Sequence, residues 1–224
     1  MRYFTCALML VAWVAAAAAQ QSPGDVYATA GVTFPYQAAL DPGSAPPFPA
    51  PGGTTVGWLV GGGVALPSQL AFEVEVSRTG TMHSSHTGRH DTSQTATRRD
   101  WFLSLGLKRS FGRSSTLRFE PIAGVVFVGD EGTYEAALGP SSYRGYYPLD
   151  WVPGVMFGAD LRIGGRRIAF TPGVRFAFTG VPTGQDCLIN SRSGQPECSE
   201  DAQRWMFLHP RWTRRPSVAL RVDF

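Results

Sequence analysis

Alternation of apolar and polar residues with a period of two runs through most of this sequence after residue 20. The last residues show it most clearly, since Val218, Leu220, Val222 and Phe224 fall on one face of an extended chain and Arg221 falls on the other. Successive side chains of a strand point to opposite faces of a sheet, so this period predicts strands with one apolar face. Helical periodicity is hard to find, and we therefore expect an all-β fold.

Eight segments carry the pattern, and each predicts one strand. They are residues 26–36, 55–66, 70–77, 101–108, 117–127, 151–163, 168–179 and 212–224. Short connections near 67–69, 112–116 and 164–167 alternate with long ones near 37–53, 84–99, 129–147 and 180–211. Short periplasmic turns alternating with long outer loops are typical of bacterial outer-membrane barrels. The sequence predicts a closed antiparallel eight-stranded transmembrane up-and-down β-barrel.

The first nineteen residues have the layout of an export signal. Arg2 precedes an apolar run over residues 4–15, and small residues follow up to position 19. This arrangement predicts that residues 1–19 are a cleaved signal peptide, with an uncleaved N-terminal anchor as the alternative. Residues 20–224 are then expected to form one barrel domain. No later segment has the roughly 18 apolar residues of a membrane helix. A mature chain in a membrane must then be a barrel, because lipid offers no partner to unpaired backbone groups.

Alternation alone also fits a soluble lipocalin-like barrel or a sandwich, in which the apolar face points inward. Four tryptophans favour the opposite arrangement. Each even-numbered strand carries one near its outer end, in phase with its apolar residues: Trp58, Trp101, Trp151 and Trp212. Aromatic residues gather where a barrel crosses the membrane–water interface. We expect these four to form the outer aromatic girdle of a lipid-facing band.

The polar faces of the strands carry charges of both signs. The members are Glu73, Glu75, Lys108, Arg118, Glu120, Asp160, Arg162, Arg175 and Arg221. The interior of an eight-stranded barrel is just wide enough for side chains to fill, so opposite charges there can pair across strands. We expect a packed ion-pair network in the lumen; a solvated outer face, a catalytic set and an ion-conducting path are the alternatives. A general porin channel is disfavoured, because so narrow a barrel leaves little room for water.

The chain ends in alternating apolar residues and a terminal aromatic, over residues 219–224. Together with the export signal and the eight strands, this pattern resembles the small OmpA/OmpX-type barrel family across the whole mature chain. The resemblance implies a monomer in the bacterial outer membrane, in contact with membrane lipid and lipopolysaccharide. It also implies that Leu220, Val222 and Phe224 form the C-terminal signal that the barrel-assembly machinery recognises.

Three prolines interrupt predicted strands, at Pro121, Pro153 and Pro172. Proline removes one ladder donor and normally lies on an edge strand or in a bulge. A closed barrel has no edge, so we expect bulges or local bends at these positions.

Two cysteines, Cys187 and Cys198, lie close together in a polar segment of the mature chain. Exported proteins meet an oxidising compartment, so the preferred interpretation is a disulfide that closes this loop. Two unpaired thiols are the alternative. A metal pair is less favoured, because no histidine or third cysteine lies beside them.

A histidine-bearing segment invites a search for chemistry, with His83, His86 and His90 close in sequence. Strand geometry puts the first two on opposite faces, so a solvated polar loop is favoured over a metal site. A catalytic arrangement would need a nucleophile, a base and an orienting acid in contact; Asp91 or Glu73 could supply the acid, but no nucleophile-elbow motif is present. We expect no cofactor and no metal.

The function that this sequence favours is a non-enzymatic envelope protein whose surface loops support envelope integrity or adhesion. A fold of this kind hosts many activities, so two alternatives stay open: a barrel-embedded lipid-modifying enzyme of the deacylase or acyltransferase type, and the soluble periplasmic barrel. The net charge is only +3, which gives no basis for a nucleic-acid partner.

Overall fold

Nearly every described residue belongs to a strand. The computed structural model describes residues 26–37, 53–87, 92–112, 116–138, 141–165, 167–180, 186–189, 194–199 and 211–224. The long strands are β1 (Val26–Thr33), β2 (Gly57–Leu66), β3 (Leu70–Arg78), β4 (Thr92–Arg109), β5 (Leu117–Leu138), β6 (Ser141–Gly164), β7 (Ile168–Thr179) and β8 (Arg211–Asp223). The predicted signal peptide lies outside the described residues. No helix in the described ranges is long and apolar enough to cross a membrane.

The eight strands close into a barrel. Each pairs antiparallel with the next along the chain, and β8 pairs with β1. Starting at Ala28 on β1 and moving from each residue to its Cα partner on the next strand, one circuit round the barrel ends at Trp212 on β8. The direct partner of Ala28 on β8 is instead Val222. The register is therefore displaced by ten residues on one circuit. A stagger of this kind tilts the strands by about 40° to the barrel axis. The predicted fold class is confirmed.

The apolar face of the wall points outward and the polar face points inward. On β8, Leu220 is 57% exposed while the adjacent Arg221 is 7% exposed. Exposed apolar side chains cover the outside of the barrel: Val60, Phe72, Leu107, Phe119, Val125, Val155, Phe157 and Phe170. A barrel in water has the reverse arrangement, so the soluble lipocalin-like alternative is wrong.

At one end, which we call the turn end, the connections are short. A 3₁₀ turn at Pro67–Gln69 joins β2 to β3, and the predicted turns near 112–116 and 164–167 also fall between strands. Gly164 has a φ of 143°, in the left-handed region that favours glycine. The Phe224 backbone N–H donates to the Val26 carbonyl (2.9 Å), so the last residue completes the ladder between β8 and β1.

At the opposite end, which we call the extended end, the wall continues as a sheet. Three short strands add to the outer parts of β4, β5 and β6: Met82–Thr87 pairs with β4, Asp186–Ile189 pairs with β6, and Pro196–Ser199 pairs with Asp186–Ile189. We call these six segments the extended sheet. A separate pair, Tyr36–Gln37 and Gly53–Thr54, lies beside β8.

Two of the predicted long loops are largely strand. The segments near 84–99 and 129–147 belong mostly to the extended sheet. Outside lipid, a strand needs no apolar face, so a polar sequence rich in β-branched threonine continues the ladder that the barrel starts. The register shifts between Asp130 and Gly132, where β5 and β6 leave the barrel.

Of the bulges or local bends expected at the three strand prolines, the bulges are contradicted. Pro121, Pro153 and Pro172 each have a Cα partner on a neighbouring strand, and the register is unbroken there. Pairing of β4 with β5 ends at Ile122, the residue after Pro121. Pairing of β6 with β7 ends at Gly154, the residue after Pro153, and this same ladder has no pair at Pro172. Each proline thus lies where one of its two ladders stops or is interrupted, so that its missing N–H needs no bulge.

An arginine substitution should destabilise the barrel at outward positions that face lipid, and much less at exposed apolar positions outside the lipid band. Val125 on β5 is 46% exposed, and Val125→Arg should destabilise the barrel by about 2–4 kcal/mol in bilayers, the typical cost near the midplane. Leu188, 42% exposed on the extended sheet, is the matched control. Urea titration of folding into lipid vesicles, followed by the gel shift on boiling, measures both. Equal losses in Val125→Arg and Leu188→Arg would contradict the inside-out arrangement.

Candidate functional site

Alternate positions of the strands bring the predicted charges together in the lumen. At the centre of the network, Lys108 Nζ lies 2.5 Å from Glu73 Oε2 and 2.6 Å from Asp160 Oδ2. Arg175 on β7 donates to the same two carboxylates, at 3.1 Å to Glu73 and 2.6 Å to Asp160. Two cations and two anions on four strands therefore satisfy one another. Such mutual pairing is what makes burial of charge tolerable.

Nearer the turn end, Arg221 organises a second group. Its Nη1 donates to Glu120 (3.2 Å), and its Nη2 donates to Asp223 (2.8 Å). The guanidinium lies 3.5 Å from the centre of the buried Tyr27 ring, and the Tyr27 hydroxyl donates to Glu73 at 2.8 Å. A side chain at position 63 would overlap the Tyr27 ring, so glycine there makes room for it.

Arg215 is a lumen residue that the sequence interpretation missed. It is among the most deeply buried charged residues of the described chain, and it donates to Glu75 (3.2 Å), Ser77 (2.5 Å) and Ser104 (3.3 Å). The phase of β8 could have revealed it, because Arg215 is an even number of residues from Arg221. Pro216 and the outward Arg214 obscure the alternation there.

A buried apolar cluster, which we call the apolar layer, packs in the lumen beside the charges, where Ile122 is the Cα partner of Lys108. Its buried members come from β4 to β7: Phe102, Ile122, Val126, Val128, Met156 and Ala177. The Arg215 guanidinium lies 4.1 Å from the centre of the Phe102 ring and so joins this layer to the network. A cavity of about 20 Å³ lies among Glu73, Lys108, Asp160 and Arg175, which is room for about one water molecule.

A third charged group follows at the mouth of the barrel, and the sequence interpretation missed it as well. Arg98 Nε donates to Asp100 at 2.6 Å, and Arg98 Nη2 lies 3.6 Å from Asp130. All three are buried. From the turn end outward, the inward positions of β4 thus run from Lys108 through the apolar Phe102 to Asp100 and Arg98.

Of the nine predicted lumen charges, all but Arg118 are buried. Arg118 is half-buried near the turn end, opposite Arg162 on β6. Arg162 in turn donates to Asp223 at 2.9 Å.

Three of the four predicted girdle tryptophans lie on one row of Cα partners, which runs Trp58, Arg78, Trp101, Gly129 and Trp151. We call this the tryptophan row. The rings of Trp58 and Trp101 meet edge to face, with centroids 5.8 Å apart. A Cβ at Gly129 would lie 3.0 Å from the Trp151 ring, so glycine makes room for it. Because the strands are tilted, the row climbs round the wall rather than staying at one level.

The fourth tryptophan, Trp212 on β8, is exposed and packs against Phe178 and Phe157. It faces outward with the other three.

The histidine segment forms a strand in part. His83 and His86 belong to Met82–Thr87, and the His83 side chain is exposed, whereas His90 and Asp91 lie outside the described residues. Within the described ranges, no three His, Cys, Asp or Glu side chains are grouped to hold a metal. Glu73, the other acid considered for catalysis, is held by the lumen network.

The predicted disulfide is confirmed. Cys187 and Cys198 are bonded across the pair of short strands at the edge of the extended sheet, where they are Cα partners.

Removal of the central lysine tests the network. Lys108→Met should destabilise the barrel by about 3–5 kcal/mol, because it leaves buried carboxylates underpaired. Adding Glu73→Gln should restore part of the loss, since the two residues are coupled. Urea unfolding in detergent micelles, followed by tryptophan fluorescence, measures both. The control is Arg144→Met, which breaks a pair with Glu135 whose arginine is 67% exposed and should change little. A Lys108→Met variant as stable as this control would contradict a structural role for the network.

No family model and no curated protein matches this chain, but solved structures do. A major outer membrane protein of Thermus thermophilus is 11% identical, with 89% of this chain and 99% of its own covered and a TM-score of 0.58. Neisserial surface protein A is 13% identical (91% and 100% covered, TM-score 0.45), and Ail of Yersinia pestis is 7% identical (91% and 100% covered, TM-score 0.46). With its charges inside and its apolar surface outside, the chain has the fold of the small outer-membrane β-barrels.

Proposed function

We propose that this protein is a non-enzymatic outer-membrane barrel whose extended sheet presents a surface for interaction outside the cell. The turn end faces the periplasm in this proposal, and the extended end faces outward. The observation that carries the proposal is the continuation of β4, β5 and β6 into a six-stranded sheet beyond the barrel. A barrel that served only as a membrane plug would need no such sheet.

The distribution of side chains along the outer wall supports this orientation. Most exposed apolar residues of the barrel wall lie on the turn-end side of the tryptophan row. On its other side, Thr97, Arg99 and Thr133 lie among fewer exposed apolar residues, such as Leu149 and Leu188. We assign the four tryptophans to the outer membrane–water interface as an aromatic girdle, which they enter at different heights because the row climbs round the wall. Membrane lipid, including lipopolysaccharide, would then surround a monomeric barrel.

The C-terminal strand supports the assignment of its outward residues to assembly. Leu220, Val222 and Phe224 are all exposed on the outside of the wall. In the folded barrel they face lipid, and before closure of the β8–β1 ladder the same residues are available to the barrel-assembly machinery. We propose that they form its recognition signal.

The filling of the lumen supports a role other than a porin or a lumen-based enzyme. Buried apolar side chains and mutually paired charges occupy the described lumen, and the cavity among these charges is only about 20 Å³. The carboxylates of Glu73 and Asp160 are engaged by Lys108 and Arg175. Both carboxylates therefore already accept hydrogen bonds from two cations, and the cavity beside them has room for about one water molecule and not for a substrate.

The extended sheet has the rigidity that a recognition surface needs. Polar contacts cross its outward face: the Thr97 and Thr133 hydroxyls are 2.7 Å apart, and Arg144 pairs with Glu135 at 2.7 Å. Backbone ladders and the Cys187–Cys198 bond hold this surface in one conformation. A preordered surface loses little conformational entropy on binding.

Shortening the sheet tests the proposal. Gly132 and Tyr147 are Cα partners, as are Met82 and Arg98. Residues 133–146 and 83–97 can therefore each be replaced by an Asn-Gly hairpin turn. Cells that produce the doubly shortened protein should lose the attachment to immobilised matrix proteins and glycans that the full chain confers. The shortened barrel should still shift on boiling, because its lipid-band ladders are unchanged.

The same strains distinguish surface interaction from envelope integrity. Detergent resistance of cells that lack the protein is compared after return of the full or the shortened chain. If both chains restore resistance and neither changes attachment, the barrel supports the envelope and the proposed interaction surface is wrong.

A further inference from the structure

A groove of about 750 Å³ lies on the outer wall at the base of the extended sheet. Its lining includes Thr81, His83, Thr97, Arg99, Thr133 and Tyr146. We propose that this groove binds the phosphorylated sugar headgroup of an outer-leaflet lipid. The inference rests on the membrane placement given above and is independent of the proposed surface interaction.

The position of the groove relative to the tryptophan row supplies the first argument. Arg99 lies two residues beyond Trp101 on β4, and Leu149 lies two residues beyond Trp151 on β6. Tryptophans of a membrane protein lie at headgroup level. A groove that begins directly beyond them, on the outside of the wall, therefore faces lipid headgroups rather than acyl chains.

Charge supplies the second argument. The exposed Arg99 donates its Nε–H to the Thr81 hydroxyl at 2.6 Å, and its guanidinium makes no other hydrogen bond to the described residues. This contact orients the side chain and leaves its terminal nitrogens available. Guanidinium groups bind phosphate through paired N–H donors.

A second arginine, Arg78, contacts a residue of the groove lining. Arg78 pairs with Glu131 at 3.4 Å, and its guanidinium lies 4.7 Å from the centre of the Trp101 ring. Glu131 also lines the groove and offsets the charge of Arg78. Arg99 therefore carries the uncompensated positive charge of the groove.

The rest of the lining fits a sugar better than a bare anion. The hydroxyls of Thr81, Thr97 and Thr133 can bind sugar hydroxyls, and Leu149 is exposed beside them. Below the groove, the apolar band provides a wall for acyl chains. A free phosphate ion would use the arginine alone, so the combination favours a lipid headgroup as the occupant.

Three single substitutions test the site in the full-length protein in detergent. Native mass spectrometry measures retention of diphosphorylated lipid A. Arg99→Gln should weaken retention about tenfold, the scale of one lost charge-assisted hydrogen bond. Glu131→Gln should strengthen it, because a carboxylate no longer faces the phosphate. Arg109→Gln is the matched control, because Arg109 is also an exposed arginine of β4 but lies at the turn end, with its guanidinium 5.0 Å from the centre of the Phe111 ring.

The gel shift on boiling shows that each variant is folded. As a ligand control, fully dephosphorylated lipid A should be retained no better by the wild type than by Arg99→Gln. Equal retention in Arg99→Gln and Arg109→Gln would overturn the site. Displacement of lipid A by millimolar inorganic phosphate alone would overturn the assignment to a lipid and leave a simple anion site. Failure of the attachment test with lipid retention intact would remove the proposed surface interaction but not this inference.

Discussion

Pairing of β8 with β1 removes every strand edge from the barrel wall, and the remaining features of the molecule follow from this closure. In lipid, an unpaired backbone N–H or C=O group has no water to bind, so a wall within the membrane must be continuous. Closure of a tilted sheet fixes the ten-residue stagger, and the stagger decides which residues share a level. The period-two pleat then directs one half of the side chains to lipid and the other half to a narrow interior.

That interior holds charges that also define the register of the strands. Lys108, Asp160 and Arg175 lie on three different strands and satisfy one another only in the observed pairing. A slip of one residue in any of these strands would turn a charged side chain toward lipid and an apolar one toward the network. The lumen charges thus penalise wrong pairings far more than a uniformly apolar filling would.

The strands, their inside-out faces and the disulfide could be predicted from sequence because each depends on local alternation or on two cysteines. The individual ion pairs could not, since partners such as Arg215 and Glu75 meet only through the stagger of the closed barrel. The extended strands escaped prediction for another reason. Beyond the lipid, residues such as Thr95 and Thr133 carry no apolar alternation, and only pairing with a strand already in place makes them strand. The strand prolines were misjudged because the ends of ladders depend on tertiary pairing.

The unbroken passage of β4, β5 and β6 from the barrel into the extended sheet has a mechanical consequence. Tension applied to the outer sheet acts along these strands rather than across a hinge. The hydrogen bonds of each ladder are then loaded together, in shear, instead of one after another as in an opening zipper. A pull on the extended end is thereby distributed over the length of the barrel wall. Flexible loops of the same length would instead transmit the load to their end residues alone.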